Sequence, residues 1–239
     1  MRTTKRPVLT RKRFCKVILN ALRAHKKYKG KSRRAIALYA LSRSMNCFER
    51  TIRHFLLVAK HKTFVFFYCC YAGYPWRGLM HDWSKYSLEE FVESVRFFNG
   101  RRSPVGLARE LEGYSFAWLH HKGRNKHHFE FWSDVVDSSG VPAPNYGQFY
   151  PLPIPFPYAL EMICDMIAAS RAYNGKKFSY KVLYDWSRKR TSVPLNMHRS
   201  TRRFFDAIFQ EMYDEGNCKA LRRAKALFTR AQEERTENV

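Results

Sequence analysis

Along this 239-residue chain apolar positions recur at three- and four-residue intervals, and no stretch alternates apolar with polar as a half-buried strand would. The pattern predicts an all-α fold. An apolar-faced segment over about 34–70 reads as one helix or two, with Gly73 as a plausible stop. "GYPWRGLMHDW" then gives a short loop and a helical turn. Ser87, with Glu90 three residues on, forms a capping box that starts a helix running to Gly100. Ser103 followed by Pro104 starts the next helix, and Gly113 ends it.

"SFAWLHHKG" predicts a further helix. The stretch 133–157 holds six prolines and two glycines, so an irregular loop or lid is expected there. Helix resumes with "PYALEMICDMIAASRAY", and "RRFFDAIFQEMYDEG" and "ALRRAKALFTRAQEE" supply two more, with Phe204, Phe205 and Ile208 as an ordinary core face. There is no internal repeat and no heptad array. The expected architecture is a single helical bundle (49–239, motif core about 60–173, C-terminal helices 174–239) behind a basic N-terminal helical extension (1–48).

Charge changes that picture at one end. The formal net charge is +24, and residues 1–48 carry 15 Lys or Arg and no acidic residue. Such an arm attracts polyanions through counterion release, so nucleic acid through residues 1–48 is a candidate partner, as is an anionic membrane. "FCKVILNAL" places Phe14, Val17, Ile18, Ala21 and Leu22 on one helical face. An organellar presequence and a surface-bound basic helix both read this way.

The most apolar window, "FVFFYCCYAGY", is too short to span a bilayer, so no transmembrane segment is expected. Six cysteines without Cys-x-x-Cys spacing read as reduced packing residues of an intracellular protein. A cytoplasmic location follows, with an organelle or a virion as alternatives. The oligomeric state is not readable from the sequence.

The candidate chemistry lies in the histidines. His61, the contiguous pair His81-Asp82, the string "HHKGRNKHH" and Asp165 fall in order along separate segments. Imidazole and carboxylate without thiolate suit one or two divalent ions such as Mn, Fe, Zn or Ni, in an open, catalytic kind of site. Glu161 and Asp165 are four apart on one helix and project from one face; two such carboxylates on an apolar helix call for a cation. His54, two turns before His61, is a competing ligand. His120 is the expected bystander, because neighbouring helical side chains diverge by about 100°. "HHKGRNKHH" also reads as a basic loop touching phosphates. Trp83 and Tyr86 read as core or pocket wall.

Histidine, then His-Asp, then further histidines, then a late aspartate resembles the HD-domain superfamily of metal-dependent phosphohydrolases. "HDWSK" resembles the HD-x-x-K turn of its cyclic-dinucleotide branch. More closely, "RGLMHDWSKYSLEEF", "AWLHHKGRNKHHFEFW" and "EMICDMIAASRAY" are similar to an uncharacterised family of bacteria and phages. The HD resemblance implies His61, His81, Asp82 and Asp165 around a first ion, His121, His127 and His128 around a second, and Lys85 facing a phosphate oxygen.

The later histidines are more compact here and lack the glycine-tyrosine-proline signature, which argues against cyclic dinucleotides. The implied activity is hydrolysis of a nucleotide or other phosphorylated small molecule, with Lys85 and Arg124 stabilising phosphoryl charge and Glu161 as orienter or base. The rival expectation is a basic nucleic-acid-binding or structural protein, of a virion or ribonucleoprotein, whose histidine cluster is structural or vestigial.

Overall fold

The computed structural model describes residues 11–135, 149–191 and 197–233. The fold is all-α: among the described residues eleven α-helices account for the architecture, and the only strands form one short antiparallel pair. The first ten residues of the basic arm lie outside the described residues. So do 136–148 of the proline-rich stretch. Its flanks, β1 (Ser133–Val135) and β2 (Phe149–Pro151), pair with Ser133 opposite Pro151.

The chain forms two compact units. One comprises residues up to Leu56 with Tyr86–His120; the other comprises Leu57–Lys85 with everything from His121 onward.

In the first unit, α1 (Arg11–Lys27), α2 (Arg33–Ser44), the start of α3 (Cys47–Tyr71), α5 (Leu88–Phe97) and α6 (Pro104–Glu112) supply the framework. The apolar run over 34–70 is two helices, broken at Met45, whose extended backbone caps α2. α5 starts at Ser87, whose hydroxyl accepts from the Glu90 amide, as the capping box predicts. It ends at Phe97 rather than Gly100, because Phe98 leaves helical conformation. Gly113 closes α6 with φ 88°, a left-handed conformation that suits glycine. Phe97, Leu107, Leu111, Ile36 and Tyr28 are buried together as this unit's core. His120 pairs here with buried Glu90 at 2.8 Å, and His54 packs against the rings of Phe91 and Phe98.

The second unit is built around α8 (Phe156–Asn174), with α10 (Arg199–Glu215), α11 (Ala224–Glu233) and the far half of α3 sharing its core. Phe204, Phe205, Ile208, Ile163 and Ile167 are fully buried in it, and Cys164 joins them. Cys47, Cys69, Cys70, Cys164 and Cys218 are free thiols. α9 (Tyr180–Thr191) lies within the 174–239 stretch expected to hold C-terminal helices, but no segment of the sequence marks it out. Its inward positions are Leu183 and Ser187, and a buried serine hides the apolar period.

α4 (Pro75–Met80) lies against α3, and Gly78 is the reason it can. A Cβ there would stand 2.7 Å from the Phe66 Cα and 2.8 Å from the Cys69 Cβ. No helix among the described residues is long and apolar enough to cross a membrane.

Candidate metal centre

The site grows from the end of α4. His81 caps that helix in an extended conformation, and Asp82 follows with φ 52°. Left-handed backbone is uncommon for a residue with a side chain, though aspartate tolerates it better than most, and it clusters at functional sites. A 3-10 turn (Trp83–Tyr86) continues the chain and carries Lys85 back toward Asp82. The Lys62 ammonium reaches the His81 carbonyl oxygen and sits 4.3 Å from the Trp83 ring centre, fixing the turn to α3.

Three further segments of the second unit converge on that turn. His61 comes from α3, and Glu161 and Asp165 come from one face of α8. His121 lies near the end of α7 (Phe116–Arg124), and His127 and His128 follow it directly. His61, His81, Asp82, His121, His127 and Glu161 are all buried.

The two oxygens of Asp82 face different partners. Oδ2 lies 3.0 Å from His81 Nε2 and 3.9 Å from His61 Nε2, while Asp165 Oδ1 stands 3.0 Å from the same His61 nitrogen and 3.6 Å from His81 Nε2. Oδ1 lies 3.4 Å from Nε2 of both His121 and His127. The His128 ring is 4.3 Å from that of His127 and 4.7 Å from that of His121. His61, His81, Asp82 and Asp165 thus form one group, and Asp82, His121, His127 and His128 another, in each of which all donor atoms lie within 4.8 Å of one another.

The chemistry of these atoms fits a cation. Nε2 of His61, His81 and His127 and Oδ1 of Asp82 are buried without a well-aligned hydrogen bond, while Asp82 Oδ2 is met by the charges of Lys85 and His81. Several of the close approaches above therefore bring charged and dipolar atoms together without a well-aligned hydrogen bond. Buried polar atoms without partners are costly, and imidazole nitrogens facing a carboxylate are the donor set of Mn, Fe, Zn or Ni.

Nδ1 of His81, His127 and His121 is held. Glu161 Oε1 accepts from Nδ1 of His81 at 3.0 Å and of His127 at 3.2 Å. Ser84 Oγ lies 3.3 Å from His121 Nδ1 and accepts from Asn125 Nδ2 at 2.8 Å. Neither Ser84 nor Asn125 is singled out by the sequence reading. Asn125 could have been found, since it is four residues from His121 on the same helical face; Ser84 carries no signal beyond lying inside "HDWSK".

Electrostatics are shaped accordingly. Burial alone would raise the carboxyl of Asp82, but His81, Lys85, His121 and His127 outweigh it and hold it well below the usual range. Asp165 is likewise held well below it by His61 and His81 against burial. Burial works the same way on Glu161, which the hydrogen bonds from His127 and His81 push down to about 2. Burial would lower His81, yet Asp82, Asp165 and Glu161 raise it well above its ordinary value. Burial, aided by Lys85, takes His61 down to about 4, and burial with His127 and His121 takes His128 well below its usual value. Lys85, 2.5 Å from Asp82 Oδ2, is raised by Asp82 and Asp165 against burial and stays cationic.

Beside the cluster opens a cleft of about 360 Å³ that reaches His127 and Glu161. Arg77, Arg124 and Lys126 line it, with the rings of Trp76 and Tyr158. Arg77 stacks on Tyr158 at 4.0 Å and stands 3.7 Å from Glu161 Oε2. The sequence reading singled out Arg124 and missed Arg77, which sits four residues before His81 on α4 and so faces the same way.

The seven expected ligands, His61, His81, Asp82, His121, His127, His128 and Asp165, are brought together, with Lys85 and Glu161 in contact with them. Arg124 lines the cleft. His54 and His120 lie in the other unit. Trp83 departs from its expectation: it is 56% exposed, its indole donating to the Leu79 carbonyl, because the tight turn after Asp82 carries it outward.

Fold and site together define an all-α protein with a buried histidine-carboxylate cluster that could hold metal. The profile of the Family of unknown function (DUF5662) matches residues 50–211, and the chain belongs to that family. No curated protein and no solved structure matches it.

Proposed function

We propose that the protein is a divalent-metal-dependent phosphohydrolase acting on a nucleotide or another phosphoester, in the manner of the HD-domain superfamily it resembles. The observation that carries this reading is the division of labour at Asp82, one oxygen facing His61, His81 and Asp165 and the other facing His121 and His127. Divalent ions held by such groups supply Lewis acidity and an activated water for in-line displacement at phosphorus.

The chain's own residues do the rest. Glu161 holds the His81 and His127 rings by Nδ1, so that Nε2 of each points inward. Lys85 stays cationic beside Asp82 and offers its charge to a phosphoryl oxygen. Arg77, Arg124 and Lys126 make the adjoining cleft cationic, which suits a phosphorylated ligand entering on the His127 side.

The test is elemental analysis of the purified protein, followed by a phosphoester screen of protein reloaded with Mn, Fe, Zn or Ni. Bound metal with Asp82-dependent turnover is the expected result. A protein that takes up no divalent ion at neutral pH, or binds it and hydrolyses no phosphoester, would overturn the reading.

A further inference from the structure

We infer that α1 is a membrane-docking helix, laying the aliphatic strip Ile18, Leu19 and Leu22 into the surface of an anionic bilayer. The sequence left a presequence, a nucleic acid and a membrane as equal explanations of this helix. Burial along it separates them.

One edge of α1 belongs to the first unit's own core. Ala24 is buried, Ala21 packs beside it, and Tyr28, just past the helix end, is buried against Tyr39 with its hydroxyl donating to Glu112 at 3.0 Å. The apolar face read from the sequence therefore splits, Ala21 turning to the core and Ile18 and Leu22 away from it, with the side chains of Phe14 and Val17 outside the described residues. Ile18, Leu19 and Leu22 remain 46%, 47% and 64% exposed, and they lie within roughly 100° of the helix circumference. Lys16, Arg23 and Lys26 are exposed around them, and no acidic residue occurs anywhere in the first 48.

Charge alone would suit nucleic acid, where phosphates are met by Lys and Arg. Aliphatic side chains gain nothing from phosphates and offer no ring on which a base could stack. A second copy of the chain would set two strongly basic segments against each other. An anionic bilayer takes both features: the strip enters the acyl boundary while the flanking Lys and Arg extend to the headgroups. At 17 residues, and with no described helix apolar enough to span, α1 lies along the surface. This inference does not depend on the phosphohydrolase reading.

Flotation of the full-length protein with vesicles of phosphatidylcholine, alone or mixed with phosphatidylglycerol, tests it. The expected result is binding to the mixed vesicles only, weakening as salt rises. Leu19→Gln with Leu22→Gln, which leaves the charge unchanged, should reduce binding by about tenfold or more, and Lys16→Gln with Arg23→Gln should reduce it too. Absence of wild-type binding to anionic vesicles overturns the inference whether or not the variants fold. So does vesicle binding indifferent to the leucine pair in a variant of unchanged unfolding temperature. Binding to DNA or RNA without vesicle binding would assign the helix to nucleic acid, and a sedimenting dimer dispersed by the leucine substitutions would assign the strip to self-association.

Discussion

His81 donates from Nδ1 to Glu161 Oε1 at 3.0 Å, which leaves its Nε2 facing Asp82 Oδ2 at the same distance. A residue on α8 thereby decides which nitrogen of a ring at the end of α4 is offered to the cluster. Glu161 does the same for His127, so one carboxylate orients a histidine in each of two groups.

Glu161→Ala should therefore weaken metal binding by roughly 10–100-fold, the usual cost of losing such a partner, and should affect both ions. Isothermal titration with Mn or Zn checks this, read together with its pH dependence. Equal affinity in wild type and variant at every pH would mean that the rings are held by packing alone.

Substitutions on either side of Asp82 should separate the ions. His61→Ala is expected to lower the metal stoichiometry from two to one while His121 and His127 keep their ion, and His121→Ala to do the converse. Asp82→Asn should reduce both sites. In the metal-free protein Asp82→Asn also removes the buried partner of His81 and Lys85, a loss of about 3–5 kcal/mol for a broken buried pair. Inductively coupled plasma analysis and thermal unfolding read the two effects; loss of both ions from each histidine variant would argue for a single shared site.

Proton linkage from these groups places the stability optimum of the metal-free protein near pH 6.5, with losses of opposite origin on either side. Between pH 4.5 and about 2 the unfolded chain binds the proton that folded Glu161 resists, so stability falls as pH drops through that window. His61, pushed down to about 4, acts likewise between 6.5 and 4. His81 has the opposite sign: raised in the fold, it contributes stability that is complete below 6.5 and lost as pH rises through its folded value. A metal ion must displace the His81 proton, so uptake near neutrality should release protons and tighten as pH rises. Titrations in buffers of different ionisation enthalpy measure that release, and a value of zero would count against protonated His81.

Gly78→Ala places a methyl group into the backbone of α3, with contacts near 2.7 Å. An overpacking cost of about 1–3 kcal/mol is expected, and α4 must shift, carrying His81 with it. Lower unfolding temperature together with weaker metal binding is the prediction. A variant as stable as wild type would show that α4 does not press on α3.

Much of the helical layout was legible because each boundary rests on a local rule. Ser87 caps α5 and Gly113 ends α6, each through its immediate neighbours. α9 was missed because Ser187 stands where an apolar residue would have marked the period. The ligands were legible as a set because histidines and carboxylates recur in a known order, although the order alone left His54 and His61 as competitors. Arg77 and Asn125 offer only their four-residue spacing from His81 and His121, and Ser84 offers nothing; all three matter through what stands next to them in space.

The sequence by itself determined most of the helices, the basic arm and the residue types capable of holding metal, since helical period, charge and ligand chemistry are properties of short windows. The tertiary structure decided which histidines meet. It set the left-handed turn that aims Asp82, gave Glu161 the task of fixing two rings, and left Ile18, Leu19 and Leu22 outside the core. Those outcomes depend on segments some 20 to 100 residues apart packing against one another, and a local pattern holds no record of which of its faces that packing covers.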